Sequence, residues 1–185
     1  MEEIRAYFTE TFIRVYQAYS DSIADSALEN NRFVSPPFNL NRMTWIKPSF
    51  LWMMYRSGWA QKDAGQKRIL SIDLTHDGFK KILSQGILSH FEKNQNLSQE
   101  AWKNQIKESN VIIQWDPDRD INLNKLDYRT IQIGLRREAV QFYIEECIID
   151  INDITEHVKD IELAVKNKNE NYAIQLLPVE RIYHP

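Results

Sequence analysis

Five glycines in 185 residues leave this chain few places for left-handed turns or close main-chain contacts, where glycine is ordinarily about 7% of a protein. They stand singly at 58, 65, 78, 86 and 134. A fold that cradles a dinucleotide diphosphate on a strand-to-helix loop needs several glycines within about six residues. No such cluster follows the first strand pattern, so the sequence argues against a doubly wound nucleotide fold.

What remains is a chain that mixes period-two and helical patterns along its whole length. Residues 11–19 alternate and are rich in β-branched and aromatic types, which predicts a strand. Ser20 or Asp21 caps a helix to about Asn30. Arg32–Arg42, with Pro36 and Pro37, reads as a loop. Met43–Lys47 reads as a short strand, and Pro48 fits the first turn of a helix that stops at Gly58. Phe50, Met53 and Met54 share one face of it, while Trp52, Tyr55 and Arg56 turn toward another. A polar turn at Lys62–Gln66 leads to a strand at Arg68–Thr75. A helix follows over Asp77–Leu88, a polar loop at Lys93–Asn96, and a helix capped by Ser98. Val111–Trp115 reads as a strand ending in an aspartate-rich turn. Tyr128–Leu135 is a strand, Arg136–Glu145 a helix and Cys147–Ile151 a strand. Asp153 opens a helix to about Asn167, a short helix carries Tyr172–Leu177, and Pro178–Pro185 reads as an irregular tail. The expected class is α+β: a single compact domain over 1–185, with a mixed, mainly antiparallel sheet and flanking helices.

Several function classes drop out early. No apolar run reaches the ~20 residues of a membrane span, so no membrane partner is expected. The start, MEEIRAYF, has no secretory apolar stretch, and the lone Cys147 has no partner for an internal disulfide; the expected location is cytoplasmic. Oligomeric state is not legible.

Charge is placed unevenly. Between Arg32 and Arg68 stand seven basic residues and one acid, Asp63, a net of +6. The remainder of this net −3 chain therefore carries −9. A basic run is either a solvated face or a site for an anion. Here it is interleaved with Trp45, Trp52, Tyr55 and Trp59, within a first sixty residues that hold 12 of the 21 aromatics. Cations beside aromatic faces suit nucleotides and nucleic acids, which require phosphate contact and stacking together. Thr44, Lys47 and Ser49, at a strand-to-helix turn, form the candidate phosphate edge, with Arg56 beyond them. The same aromatics also fit a plain buried core.

Other constellations are weaker. Arg14 and Tyr16 share a face of the first strand; such an arginine either lies at an edge in water or points at an anion. Asp116, Asp118 and Asp120 suggest a calcium loop, but Ile121 replaces the required glycine and Asp127 the closing glutamate. A turn with Asx hydrogen bonds is the better reading. Gly134 marks a bulge or a close main-chain approach. His90 is a candidate site residue or a surface histidine. The four histidines lack metal spacing, so no metal is expected, and Cys147 reads as an inert core thiol.

Taken together, the stretches IRVYQAYSDSIADSA, RMTWIKPSFLWMMYRSGWA, QKRILSIDLTHDGF, LSHF, VIIQWDPDRD, YRTIQIGL and LLPVERIY resemble a family known as domain of unknown function 4291. They span nearly the whole chain. That resemblance implies a single-domain member and brings no activity. The order of elements is also similar to the NAD-binding half of ADP-ribosyltransferases. That likeness implies NAD as cofactor and a transferase reaction, with Arg14 and Tyr16 on the first strand. It puts phosphate or ribose on Thr44, Lys47 and Ser49, stacking on Trp45 or Tyr55, and Gln114 or Gln132 near the acceptor. The chain departs from that class in lacking an evident glutamate on a late strand. The alternative is a non-catalytic module that binds nucleotide or nucleic acid.

Overall fold

The computed structural model describes residues 1–91 and 97–185. The expected loop at Lys93–Asn96 lies outside the described residues. In chain order the elements are β1 (Arg5–Ala6), β2 (Ile13–Tyr19), α1 (Asp21–Asn30), β3 (Thr44–Ile46), α2 (Phe50–Ser57), β4 (Arg68–Leu74), α3 (His76–Ser84) and β5 (Gly86–Leu88). Then follow α4 (Gln99–Glu108), β6 (Val111–Arg119), β7 (Lys125–Leu135), α5 (Glu138–Phe142), β8 (Ile148–Asp153), α6 (Thr155–Lys166), α7 (Glu170–Leu176) and β9 (Arg181–Ile182). The class is α+β. β5 pairs with β6 in parallel, and the other strand pairs among the described residues are antiparallel.

Two sheets do most of the work. One runs β2-β4-β8 and the other β3-β7-β6-β5, with a small third ribbon β1-β9. Alternation along β2 and β4 gives their sheet two different faces. Ile13, Val15, Leu70, Ile72 and Leu74 enter a large core shared with Ile46, Val111, Ile131, Ile133 and Leu135 of the second sheet. Tyr16 and Ile69 enter a second core with Phe50, Met53 and Met54 of α2 and Val158, Ile161 and Ala164 of α6. Each fully buried aliphatic side chain contributes roughly 1.5–3 kcal/mol, so both faces of this sheet are held down by packing. A main-chain bridge joins the two sheets between Tyr16 and Lys47, where Tyr16 N–H donates to Lys47 O at 2.8 Å.

Helix α2 begins later than Pro48. Ser49 is its N-cap, with extended backbone and an Oγ that accepts from Trp52 N–H at 3.2 Å. Gly58 ends it at φ +56°, a left-handed cap that glycine adopts without strain. Trp52 lies on the buried side with Phe50, Met53 and Met54, whereas Tyr55 and Arg56 are exposed.

Four expectations need correction. The helix expected over 77–88 stops at Ser84, because Gly86–Leu88 pairs beside β6. The aspartate-rich segment is no turn: β6 continues through Arg119, and the Asx turn sits one step later. There Asp120 Oδ1 accepts from Asn122 and Asn124 N–H at 2.9 and 2.8 Å. The helix expected at 136–145 is a short α5 followed by a π-helical turn over Tyr143–Cys147. The segment 178–185 is not wholly irregular. Arg181 and Ile182 pair with Ala6 and Arg5, and the Tyr183 ring, 5% exposed, stacks on His76. Strand pairing decides the first, second and last of these, and local pattern does not report it.

Candidate functional site

Beside the Tyr16–Lys47 bridge the two sheets part, and the gap opens as a crevice of about 740 Å³. Its walls come from several elements. Gln17, Ala18 and Tyr19 are supplied by β2, Thr44 and Trp45 by β3, and Met53 and Arg56 by α2. Phe38, Arg42 and Met43 enter from the loop before β3; Lys62, Asp63, Gly65 and Gln66 from the turn after α2; Gln114 from β6 and Gln132 from β7.

The floor is the polar side of the second sheet. Trp45 lies opposite Gly134, Gln114 opposite Gln132, and Asp116 opposite Thr130. Alternation puts these side chains on one face. Gly134 is there for close approach: a Cβ at that position would stand 3.0 Å from Trp45 ring carbons and 2.9 Å from Met43 Sδ. Gln114 Nε2 donates to both Asp116 oxygens at 3.2 and 3.0 Å, and Gln132 Nε2 donates to Asp116 Oδ2 at 2.5 Å. With their N–H groups on Asp116, both amides have carbonyl oxygens left to accept from a ligand. Thr130 Oγ1 is buried without a hydrogen-bond partner among the described residues.

The wall on the β2 side is a closed hydrogen-bond network. Tyr143 OH donates to Gln17 Oε1 at 2.8 Å, and Gln17 Nε2 donates to Thr44 Oγ1 at 2.7 Å and Tyr19 OH at 2.9 Å. Tyr19 OH and Thr44 Oγ1 lie 2.7 Å apart. Burial raises the Tyr19 and Tyr143 hydroxyls above the ordinary phenol range, which keeps this wall neutral.

Positive charge in the crevice has little internal compensation. Among the described residues no carboxylate lies within ion-pair distance of Arg42, Lys47, Arg56 or Lys62. Asp63 is committed to Gly65 N–H and Gln66 Nε2 at 2.9 and 2.6 Å. Lys47 is 6% exposed, and burial first, then the Arg56 charge, lower its amine to about 7. A cavity of about 520 Å³ elsewhere contrasts with this: its Arg68 is already satisfied by Asp21, Asp25 and Asp153.

The sequence-predicted residues divide. Thr44, Trp45, Lys47, Arg56, Gln114 and Gln132 all line the crevice. Arg14, Tyr16, Ser49, Tyr55 and His90 do not. Arg14 makes a two-pronged bridge to Asp73 at 2.7 and 2.8 Å. Tyr16 packs edge-on against Phe50 inside the second core. Ser49 Oγ donates to buried Asp118 at 2.7 Å. The Tyr55 ring holds the Arg119 guanidinium 3.5 Å from its centroid. His90 is exposed. The N-terminus of α2 faces a carboxylate of the chain itself, since Phe50 N–H donates to Glu180 Oε1 at 2.7 Å. An anion-binding helix end is thereby filled internally. Sequence reasoning missed Gln17, Tyr19 and Arg42. Their signal was faint: Gln17 and Tyr19 alternate with Tyr16, and Arg42 precedes the β3 strand within the basic segment.

Among the described residues no helix is long and apolar enough to cross a membrane, and no group of three or more His, Cys, Asp or Glu could hold a metal ion. Cys147 is buried, its thiol pushed up to about 12 by burial. A family model described as Domain of unknown function (DUF4291) matches residues 3–183. No curated protein matches the chain.

Proposed function

For this chain, which belongs to the DUF4291 family, we propose a nucleotide-binding function, with an NAD-type dinucleotide as ligand and transfer of its ADP-ribosyl group as the reaction. One observation carries the reading. Three cations without carboxylate partners (Arg42, Arg56 and Lys62), the buried Lys47 amine, one open indole and two amide carbonyls converge on a crevice of about 740 Å³ between two sheets. That volume falls in the ~300–1,000 Å³ range of small-ligand sites. A diphosphate matches Arg42, Arg56 and Lys62; a base matches the Trp45 face; ribose hydroxyls or a carboxamide match Gln114 and Gln132. Asp116, behind the two glutamines, accepts from both of their amide groups and so orients their carbonyl oxygens toward the crevice.

The reaction balances without redox change. The bond from ribose C1′ to the nicotinamide nitrogen breaks, nicotinamide leaves with the bonding pair, and an acceptor oxygen or nitrogen bonds to C1′. The acceptor proton passes to solvent. The alternative, a module for nucleic acid without chemistry, draws on the same cations, but a crevice of this size on a net −3 chain fits a compact ligand better.

The test is a thermal-shift and calorimetric titration with NAD, ADP-ribose, ATP and a short oligonucleotide, followed by an assay of nicotinamide release. Saturable NAD binding lost in Trp45→Ala and Arg56→Ala, with nicotinamide released, supports the reading. Binding without release rejects the transferase step. A preference for oligonucleotide that falls steeply with salt rejects the small-ligand site.

A further inference from the structure

Lys47 has a chemistry that phosphate binding leaves unused. Its main chain is fixed from both sheets: its carbonyl accepts from Tyr16 N–H, and it directly follows β3. Its Nζ, with three N–H donors as an ammonium, finds one acceptor, Trp45 O at 3.1 Å. An ammonium in this position lacks a counter-ion and most of its hydrogen bonds, so a large share of Lys47 is free amine near neutral pH. The charged and titratable groups around it are Tyr16 and Tyr19 from β2, Arg42 before β3, Arg56 from α2, Lys62 and Asp63 after it, and Asp116 behind the glutamines. The Arg56 charge acts on it and opposes protonation. A neutral amine in a cavity is a nucleophile toward carbonyl carbon. The surrounding guanidinium groups can hold an anionic group of the same molecule while the amine attacks.

We infer that Lys47 is an imine-forming lysine, and that the crevice takes a small phosphorylated aldehyde with its phosphate among Arg42, Arg56 and Lys62. The Nζ lone pair adds to the carbonyl carbon, and the carbonyl oxygen takes up a proton to give a carbinolamine. Nζ then loses a proton, the hydroxyl departs as water, and the imine remains. Amine and aldehyde become imine and water, with no oxidant or reductant. This goes beyond the nucleotide reading and does not depend on it, since it needs only the phosphate grip and the amine.

The probe is pyridoxal 5′-phosphate, incubated with the intact protein at pH 7 and fixed by borohydride before peptide mapping. The expected result is one adduct per chain on the Lys47 peptide. Because a surface lysine at pH 7 has only about one amine in a thousand unprotonated, Lys47 should exceed each exposed lysine by tenfold or more. Pyridoxal without the phosphate should require roughly tenfold more reagent, the loss of one charge-assisted contact. Arg56→Ala should weaken the grip and also move the pH midpoint of labelling upward, a readout that altered packing would not give. Lys47→Met, checked for fold by circular dichroism, should lose the adduct. Labelling spread over exposed lysines in proportion to their exposure overturns the inference, as does an adduct that persists undiminished in Lys47→Met. If that variant fails to fold, the wild-type peptide map decides alone. NAD binding without Lys47 labelling leaves the nucleotide reading standing and removes this one; labelling without NAD binding does the reverse.

Discussion

Substituting Gly134 by alanine tests the link between the sheet and the crevice. The added Cβ would lie 2.9 Å from Met43 Sδ and 3.0 Å from two carbons of the Trp45 indole. Comfortable carbon contacts are about 3.5–4.0 Å, so both side chains must retreat by roughly half an ångström or more. Overpacking of this kind costs about 1–3 kcal/mol. Alanine also narrows the unfolded ensemble, which returns about 0.4–1 kcal/mol. The net expectation is a loss of roughly 0.5–2 kcal/mol. For a chain of this length that lowers Tm by about 2–4 °C per kcal/mol. Since Trp45 is the aromatic wall of the crevice, nucleotide affinity should fall about tenfold, equivalent to ~1.4 kcal/mol. The assay is urea unfolding followed by tryptophan fluorescence, with a nucleotide titration of each variant. Gly65→Ala, itself on the rim of the crevice, is the control for stability alone, because a Cβ there meets only Asp63 Oδ1 at 3.2 Å on an exposed turn. If Gly134→Ala is as stable as the parent and binds nucleotide equally well, the close-approach argument is wrong.

Three further outcomes follow from named contacts. Arg14→Ala should cost on the order of 2 kcal/mol, since it strands the largely buried Asp73 carboxylate, with Arg14 itself partly exposed. The ligand-induced thermal shift should survive, and Asp73→Asn in the same chain should recover part of the loss. Tyr143→Phe should cost about 1–3 kcal/mol in chemical denaturation, because Gln17 Oε1 loses its hydroxyl donor in a buried site. The Glu180 carboxyl is raised well above its ordinary value, mainly by burial, with the Asp118 charge adding to it. Between its unfolded and folded values the folded state holds more protons, so this group's contribution falls as pH rises above about 4.5. Glu180→Gln keeps the acceptor for Phe50 N–H, and the stability-versus-pH curve between 5 and 8 should flatten; an unchanged slope would count against the buried-carboxyl account.

What the amino-acid order fixed unaided is local and periodic. The strand patterns over 11–19 and 68–75, the Gly58 stop and the Ser98 cap are written in short windows, and the structure has strands at 13–19 and 68–74 and both helix ends there, whereas the Ser49 cap, one residue past the expected Pro48 start, was not read. The same windows located the basic aromatic turn, and with it Thr44, Trp45, Lys47 and Arg56. Whether a residue of that turn faces ligand or core was not legible, because it depends on partners far along the chain. Arg14 was satisfied by Asp73, 59 residues away, and the α2 N-terminus by Glu180, 130 residues away. Gln114 and Gln132 became a pair only through the β6–β7 register, and they met Lys47 only because β3 lies on the other side of β7. Helical and strand periods report which side of an element is apolar. They do not report which of two sheets its polar side will meet, and here that meeting makes the crevice.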